Sequence, residues 1–357
     1  MRYILGIDTT FHTSGVGLVD ENGKVLVNQK VDLDFTNENA EKFFNFHNKN
    51  TLSLIKPLLD EYLKDIFLIS AVSQEGTFHA MPVGAIIANT LSYFLDKKII
   101  GVNHEIAHLY SNWLERDKKD FLFPIVSLNI SGAHSNIYLI RSHQEIEKVS
   151  EIIWRDEQEK FGGLGALFDR ICVLLNIKIS TGEGGLYLEK LARLGKPKYY
   201  NDFKSLRIEK NNKDFKFENI IGYISEKIKT LGYYSFKEGW RERFQRDVAT
   251  SILNVLFDSL VIMLREVAKE FRAKEIHLAG GVAANVMLNH KVMDFCKSSG
   301  LNFKAPLKPE FCGDNGAMTA IAGYYQWQSA GSSGDKEFLT IEPSNWYYKY
   351  YAKYFSP

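Results

Sequence analysis

The sequence predicts an α/β protein of two similar lobes, a fold suited to handling a nucleotide. Two observations carry this prediction. Short apolar runs at residues 3–8, 15–19 and 24–28 are separated by polar turns, a three-stranded meander with Asn22-Gly23 as its hairpin signal. About 120 residues later the pattern restarts at 124–130, 135–141 and 147–153, with the small-residue turn Ser131-Gly132-Ala133-His134 between its first two strands. A chain of 357 residues also has the length of about two domains. The repeat is one of pattern, since the two copies share few identical residues.

The remaining elements follow in order. Residues 40–63 carry Leu52, Ile55, Leu58, Leu59 and Tyr62 at helical spacing. A strand at 67–72, a helix at 81–94 and a strand at 98–102 complete a first lobe over 1–120. The second lobe is expected over 121–328, with a mainly helical, polar insertion at about 155–245. Residues 246–271 form an amphipathic helix, because Ile252, Val255, Leu256, Leu260, Met263, Leu264 and Val267 share one face. A strand at 275–279, the Gly280-Gly281 turn, a helix at 283–298 stopped by Gly300 and a strand at 302–305 come next. Asp314 is placed to cap a last helix running to about Gln328. Residues 329–357 read as a linker and an aromatic tail. In that tail, Trp346 to Phe355 interleaves aromatics with lysines, a pattern for packing onto the body or a partner, with stacking on RNA bases as the other reading.

Composition excludes several classes. Hydrophobic residues are 45% and charged residues 24%, which excludes a disordered or fibrous chain. No uninterrupted apolar run reaches the ~18 residues of a membrane span, and the start lacks a signal peptide's apolar core, so a cytoplasmic protein with no membrane partner is expected. With 44 Lys+Arg against 43 Asp+Glu, any grip on nucleic acid must be local. Cys172, Cys296 and Cys312 have no paired spacing for a disulfide framework or a cysteine zinc site.

Four motifs carry chemistry. In Asn103-His104-Glu105-Ile106-Ala107-His108, the two histidines at i and i+4 share a helix face and can reach one metal ion. The bland alternative is two unrelated surface histidines. The string also fits H-E-x-x-H, but Leu114 and Ser111 stand where a longer protease signature needs His and Gly. In Pro309–Met318, Asp314 is either a ligand or a plain helix cap. The Gly280-Gly281 turn between strand and helix suits an approaching anion or simply tight packing. The hairpin Asn129-Ile130-Ser131-Gly132-Ala133 could hold a phosphate on its amides, or be an ordinary hairpin.

In this order the four motifs, with Ile4-Leu5-Gly6-Ile7-Asp8-Thr9-Thr10, Phe168-Asp169-Arg170 and Gly184–Leu191, resemble the tRNA threonylcarbamoyladenosine synthase family, the TsaD-type catalytic subunits. The resemblance runs from Ile4 to about Gly323 and is most specific in Pro309–Met318. It implies a duplicated actin-like, sugar-kinase-like fold with a central nucleotide and metal cleft. It implies that His104, His108 and Asp314 are metal ligands and the catalytic set, joining the two lobes across more than 200 residues of sequence. Iron or zinc suits them, and magnesium less readily. It places Asn129, Ile130, Ser131, Gly132 and Ala133 on the phosphate side. Asp169, Gly185 and Glu189 fall at the ribose and adenine, with Gly281 and Asn285 also beside the adenylate. Glu105 becomes a solvated first-turn acid.

The implied reaction is transfer of the threonylcarbamoyl group from threonylcarbamoyl-AMP to the N6 amine of the adenosine beside the anticodon of tRNA. The implied partners are tRNA, a separate adenylate-synthesising enzyme and accessory subunits of a modification complex. The sequence departs from the family pattern at Asp8, where Glu is usual, at Ala133 for Gly, at Leu186 for Pro, and at Glu75-Gly76-Thr77-Phe78, where Gly-Pro-Gly is usual. These drifts, and a Thr10-Phe11-His12-Thr13-Ser14 turn that also resembles one in small-molecule carbamoyltransferases, keep two alternatives in view. One is a carbamoyltransferase acting on a small-molecule hydroxyl through carbamoyl-adenylate; those enzymes carry an adenylate-making domain, for which a chain ending at Pro357 leaves no room. The other is a non-catalytic scaffold paralogue, which would have no need of the His104, His108 and Asp314 set.

Overall fold

The computed structural model describes residues 1–33, 40–77, 79–132, 134–154, 163–180, 182–206, 208–217, 219–233, 238–331 and 338–342. The aromatic stretch 346–355 and Ala133 lie outside the described residues. The chain forms two compact units, Met1–Phe121 with Pro306–Pro357, and Leu122–Ala305.

Unit 1 contains β1 (Tyr3–Thr10), β2 (Thr13–Asp20), β3 (Val25–Asp32), α1 (Ala40–Tyr62), β4 (Ile66–Gln74), α2 (Met81–Leu95), β5 (Lys98–Asn103) and α3 (His104–Tyr110). Its sheet has the order β3-β2-β1-β4-β5. β1, β2 and β3 pair antiparallel, while β4 and β5 join in parallel beyond β1. Strand alternation sorts the side chains onto two faces. Leu5 and Ile7 of β1, with Val16 and Leu18 of β2, join Ile55 and Leu58 of α1 and Val83, Ile87 and Ala88 of α2 in one buried core. Gly6, Asp8 and Thr10 are the alternate residues of β1 and face the other way.

Unit 2 contains β6 (Ile125–Ile130), β7 (Ser135–Ser142), β8 (Glu145–Trp154), α4 (Leu164–Leu174), α5 (Gly184–Ala192), α6 (Tyr200–Phe203), β9 (Glu209–Asn211), β10 (Asp214–Phe217), α7 (Ile220–Thr230), α8 (Glu238–Glu270), β11 (Glu275–Ala279), α9 (Val286–Ser299) and β12 (Asn302–Lys304). Its sheet order is β12-β11-β6-β7-β8-β10-β9. Read from the other edge, β8-β7-β6-β11-β12 repeats β3-β2-β1-β4-β5, with the same parallel and antiparallel neighbours. The expected duplication therefore holds down to strand direction. Within the insertion expected to be mainly helical, a hairpin of β9 and β10 extends the sheet in parallel from β8.

Unit 2 is organised on α8, whose Val248, Ile252, Leu256, Leu260, Met263, Leu264 and Val267 are buried. Part of it, Gly239–Glu270, is long and apolar enough to cross a membrane by length and composition. However, 78% of its most apolar window is buried inside the protein, as in a core helix.

The final helix, α10 (Gly316–Ser329), departs from expectation. The sequence reading kept it in the second lobe, but it packs on the first sheet. Ser70 of β4 donates its hydroxyl to the Thr319 carbonyl at 2.7 Å. Gly6 and Gly17, directly paired across β1 and β2, leave a flat patch on which Gly316 rests. A Cβ built on Gly6 would lie 2.0 Å from the Gly316 carbonyl oxygen, and one on Gly17 would lie 2.3 Å from the Ala317 nitrogen. The absence of side chains at all three positions sets how closely the helix start approaches the sheet.

Candidate active site

α3 and the turn before α10 deliver the first residue set. α3 begins directly after β5, where the Asn103 side chain accepts from the Glu105 and Ile106 amides at 2.9 and 3.2 Å and caps the helix. That cap fixes His104 and His108 one turn apart on the same face. Their rings meet edge to face with centroids 4.7 Å apart. On the other side, α10 is capped by Asn315, whose Oδ1 accepts from the Met318 amide at 3.0 Å. Asp314, expected to be that cap, stands one residue outside the helix and turns its carboxylate to the histidines. His108 Nε2 lies 3.2 Å, and His104 Nε2 3.5 Å, from Asp314 Oδ1.

All three residues belong to unit 1. The expected bridge between lobes is thereby corrected. Asp314 is distant in sequence, but α10 brings it back onto the first sheet. Glu105 is also corrected, since only 4% of its surface is exposed and it is no solvated acid.

The donor set fits a cation. The donor atoms of His104, His108 and Asp314 all lie within 4.8 Å of one another. Ligands held at ~2.0–2.2 Å from one ion in tetrahedral geometry stand roughly 3.3–3.6 Å apart, close to the two separations above. Both ring nitrogens of His108 are buried without a hydrogen-bond partner. Three buried or half-buried carboxylates (Asp8, Glu105 and Asp314) surround two imidazoles, an excess of acid that a divalent ion would balance. The proton affinities reflect the same imbalance. Burial works to lower the pKa of His104, but Asp314, then Asp8 and Glu105, outweigh it and raise it to about 9. Burial lowers that of His108. Burial also acts to raise that of Asp314, yet His104 and His108 hold it well below the usual carboxylate range. Asp8, wholly buried, is pushed up to about 7, chiefly by burial, with His104 opposing.

The second residue set lies in unit 2, at the ends of β6 and β11 and the starts of α4, α5 and α9. Gly280 has φ 81°, a left-handed conformation suited to glycine, and presses against Asn129 and Ile130. A Cβ on Gly132 or Gly281 would meet nothing within 4 Å, so both turns present open backbone. The hairpin amides are partly committed, since the Ser131 amide donates to the His134 carbonyl at 2.8 Å. The Gly132 and Ser131 carbonyls accept from the Gly163 and Gly165 amides at 2.9 and 3.1 Å, which ties the hairpin to α4.

Asp169 accepts from the Gly182 and Gly184 amides, each at 2.7 Å, and so shapes the turn before α5. Burial raises its pKa against the pull of those two amides. Gly185 packs on the Phe168 ring. Glu189 Oε1 accepts from the Val286 amide at 3.0 Å, and Asn285 Oδ1 from the Leu288 amide at 3.0 Å. Both therefore secure the start of α9. The structure brings Asn129–Gly132, Asp169, Gly185, Glu189, Gly281 and Asn285 into one neighbourhood of unit 2, where the side chains of Ser131, Asp169, Glu189 and Asn285 already hold backbone.

Sequence reasoning passed over two site residues. Asp8 and Thr10 both stand in the Ile4–Thr10 motif, Asp8 also as a departure from its pattern, but the sequence assigns neither a role in the site. A carboxylate closing an otherwise apolar strand was the available signal. The Thr10 hydroxyl lies 2.7 Å from Asp8 Oδ1 and 3.1 Å from Asp314 Oδ2.

A strand order repeated in two units, with a histidine pair and an aspartate converging in the first, defines a duplicated actin-like, sugar-kinase-like α/β protein. Solved structures agree on the fold. Full-length HypF in its phosphate- and nucleotide-bound form superposes with a TM-score of 0.61 at 13% identity, over 94% of this chain and 47% of that one. HypF from T. kodakarensis gives 0.60 at 16%, over 95% and 50%. The chain thus spans about half the length of these structures, and at such identities the likeness concerns the fold alone.

The family model for tRNA N6-adenosine threonylcarbamoyltransferase (TsaD) matches residues 41–321. Relatives of that name include those of Thermosipho melanesiensis, 32% identical over 90% of this chain and 94% of the relative, and Carboxydothermus hydrogenoformans, 30% over 92% and 93%. That of Staphylococcus epidermidis is 29% identical over 94% of each. The chain belongs to the tRNA N6-adenosine threonylcarbamoyltransferase family, a family of transferases.

Proposed function

We propose that this chain transfers the threonylcarbamoyl group of threonylcarbamoyl-AMP to the N6 amine of the adenosine beside the anticodon of tRNA. The observation that carries the reading is the convergence of His104, His108 and Asp314 in a chain of this family. These three would hold one divalent cation, with iron or zinc preferred by two imidazoles and a carboxylate. When bound, it supplies Lewis acidity and charge neutralisation for carbonyl or phosphate oxygens.

In the reaction a bond forms between the amine nitrogen and the carbamoyl carbon. The bond from that carbon to the phosphate oxygen breaks, and AMP leaves as an amine proton is lost. The donor is already activated, so no covalent nucleophile is required of the protein. The cysteines suit that, since burial pushes the thiols of Cys172, Cys296 and Cys312 up to about 12. In unit 2, the open backbone at Gly132 and Gly281 would admit the phosphate side of the adenylate. Asp169, Gly185, Glu189 and Asn285 would shape the ribose and adenine side. Asn129, Ile130 and Ser131 place the hairpin, and Ala133 belongs to the same proposed loop. A separate enzyme would make the adenylate, accessory subunits would share the grip on tRNA, and the setting would be cytoplasmic.

Incubation with tRNA, threonine, bicarbonate, ATP and the partner proteins, followed by mass analysis of tRNA nucleosides, tests the acceptor. Threonylcarbamoyladenosine is expected. A carbamoylated small molecule with unmodified tRNA would overturn the reading in favour of a small-molecule carbamoyltransferase. Metal analysis tests the ligand set, with about one ion per wild-type chain expected and a large loss in His108→Ala. Equal metal content in both would sink that assignment.

A further inference from the structure

We propose that Asp8 and Thr10 are a positioning pair for the cation site. In this assignment Asp8 fixes the His104 ring from the side away from Asp314, and Thr10 ties Asp8 to Asp314. The inference rests on the reading of His104, His108 and Asp314 as ligands.

Asp8 is wholly buried on a strand whose other described residues are apolar, glycine or hydroxylic. A carboxylate in such a place needs defined partners. One is the Asn315 amide at the start of α10. Another is the Thr10 hydroxyl at 2.7 Å. The third is the imidazole of His104, which stands between two acids. Its Nε2 faces Asp314 Oδ1 at 3.5 Å, and its Nδ1 faces Asp8 Oδ2 at 3.9 Å.

Asp8 Oδ2 and His104 Nδ1 are both buried without a hydrogen-bond partner, and a closure of under about 1 Å would satisfy both at once. A proton held on Nδ1 by Asp8 leaves the Nε2 lone pair for a cation beside His108 and Asp314. Metal-binding histidines usually have such an outer carboxylate to fix ring and tautomer. Asp8 is not in the set of donor atoms gathered within 4.8 Å, so its place is behind the ligand.

Thr10 adds a geometric constraint. Its hydroxyl oxygen, with a single proton to give, lies 2.7 Å from Asp8 Oδ1 and 3.1 Å from Asp314 Oδ2. It can donate to only one of them, so two ionised carboxylates leave one oxygen facing a lone pair. A shared proton or a cation next to Asp314 removes that repulsion. The pair thus links the ligand His104 to the ligand Asp314 through β1.

The test uses the full chain and Co²⁺ as probe, with affinity from chelator competition, the Co²⁺ absorption spectrum as a coordination signature, and the melting temperature of the metal-free protein. Asp8→Asn and Thr10→Val should each weaken Co²⁺ binding by about 10–100-fold and alter the spectrum, with metal-free melting unchanged or higher. Thr10→Ser, which keeps the hydroxyl, should restore wild-type affinity. Wild-type affinity and spectrum in Asp8→Asn would overturn the inference. So would equal weakening in Thr10→Ser and Thr10→Val accompanied by lower melting, which marks a purely structural role. A wild-type chain that binds no Co²⁺ would overturn the ligand assignment itself, and this inference with it.

Discussion

His47 shows how one buried side chain can fix a turn beside the site. Its Nε2 lies 2.9 Å from the Phe11 carbonyl, which can only accept, so the ring proton sits there. Its Nδ1 then accepts from the Ser14 hydroxyl at 2.8 Å. The imidazole is therefore neutral, and burial lowers its pKa to about 4 against 6.5 when free. Between those values the unfolded chain binds more protons than the folded one. Stability conferred by His47 is thus complete above about pH 6.5 and is lost as pH falls toward 4, by about 1.4 kcal/mol per unit at most. Melting of wild type and His47→Gln across pH 4–7 should show a steep slope for the former and a shallower one for the latter; parallel curves would contradict this. Single residues were also where the sequence was hardest to read. Glu105 looks like any exposed first-turn acid, and Asp314 like any cap, because only the tertiary position of α3 and α10 decides otherwise.

At the scale of elements, the start of α10 depends on bare backbone. Gly17→Ala would place a methyl 2.3 Å from the Ala317 nitrogen, backbone that cannot turn aside. Overpacking of this kind costs about 1–3 kcal/mol, and here it also shifts Asp314 relative to His104 and His108. The variant should melt lower and bind Co²⁺ more weakly, whereas Gly239→Ala, at a position with nothing within 4 Å of a Cβ, should do neither. The elements themselves were legible wherever apolar spacing was strong, as in β1, β11, α2 and α8. The β9–β10 hairpin was not, because its strands of three and four residues are too short for alternation to register and β9 is exposed throughout. The candidate site was legible as motifs. That Glu189 and Asn285 hold the start of α9 was not, since both bonds depend on how α5 and α9 meet.

At the scale of the molecule, the duplication was visible from two meanders, but the assignment of the last helix was not. Sequence order favours grouping α10 with its neighbours, whereas burial groups it with the sheet it covers. A chain stopped before Pro306 should therefore lose the cover of the first sheet. Hydrogen exchange read by mass spectrometry should show lost amide protection in β1, β2 and β4, with β6, β7 and β11 retaining theirs. Retained protection in β1 would refute the grouping.

Unit 1 is discontinuous, with the whole of Leu122–Ala305 lying between its two segments. On the ribosome, His104 and His108 emerge roughly 10–40 s before Asp314 at about 5–20 residues per second. During that interval the growing chain offers two imidazoles without their carboxylate, beneath a sheet still lacking the helix that covers it. The segment made in the middle can fold first, and the segment begun first must wait for the last helix. On the proposed ligand set, capture of a metal ion must therefore wait until Leu122–Ala305 has been made and Asp314 has followed it.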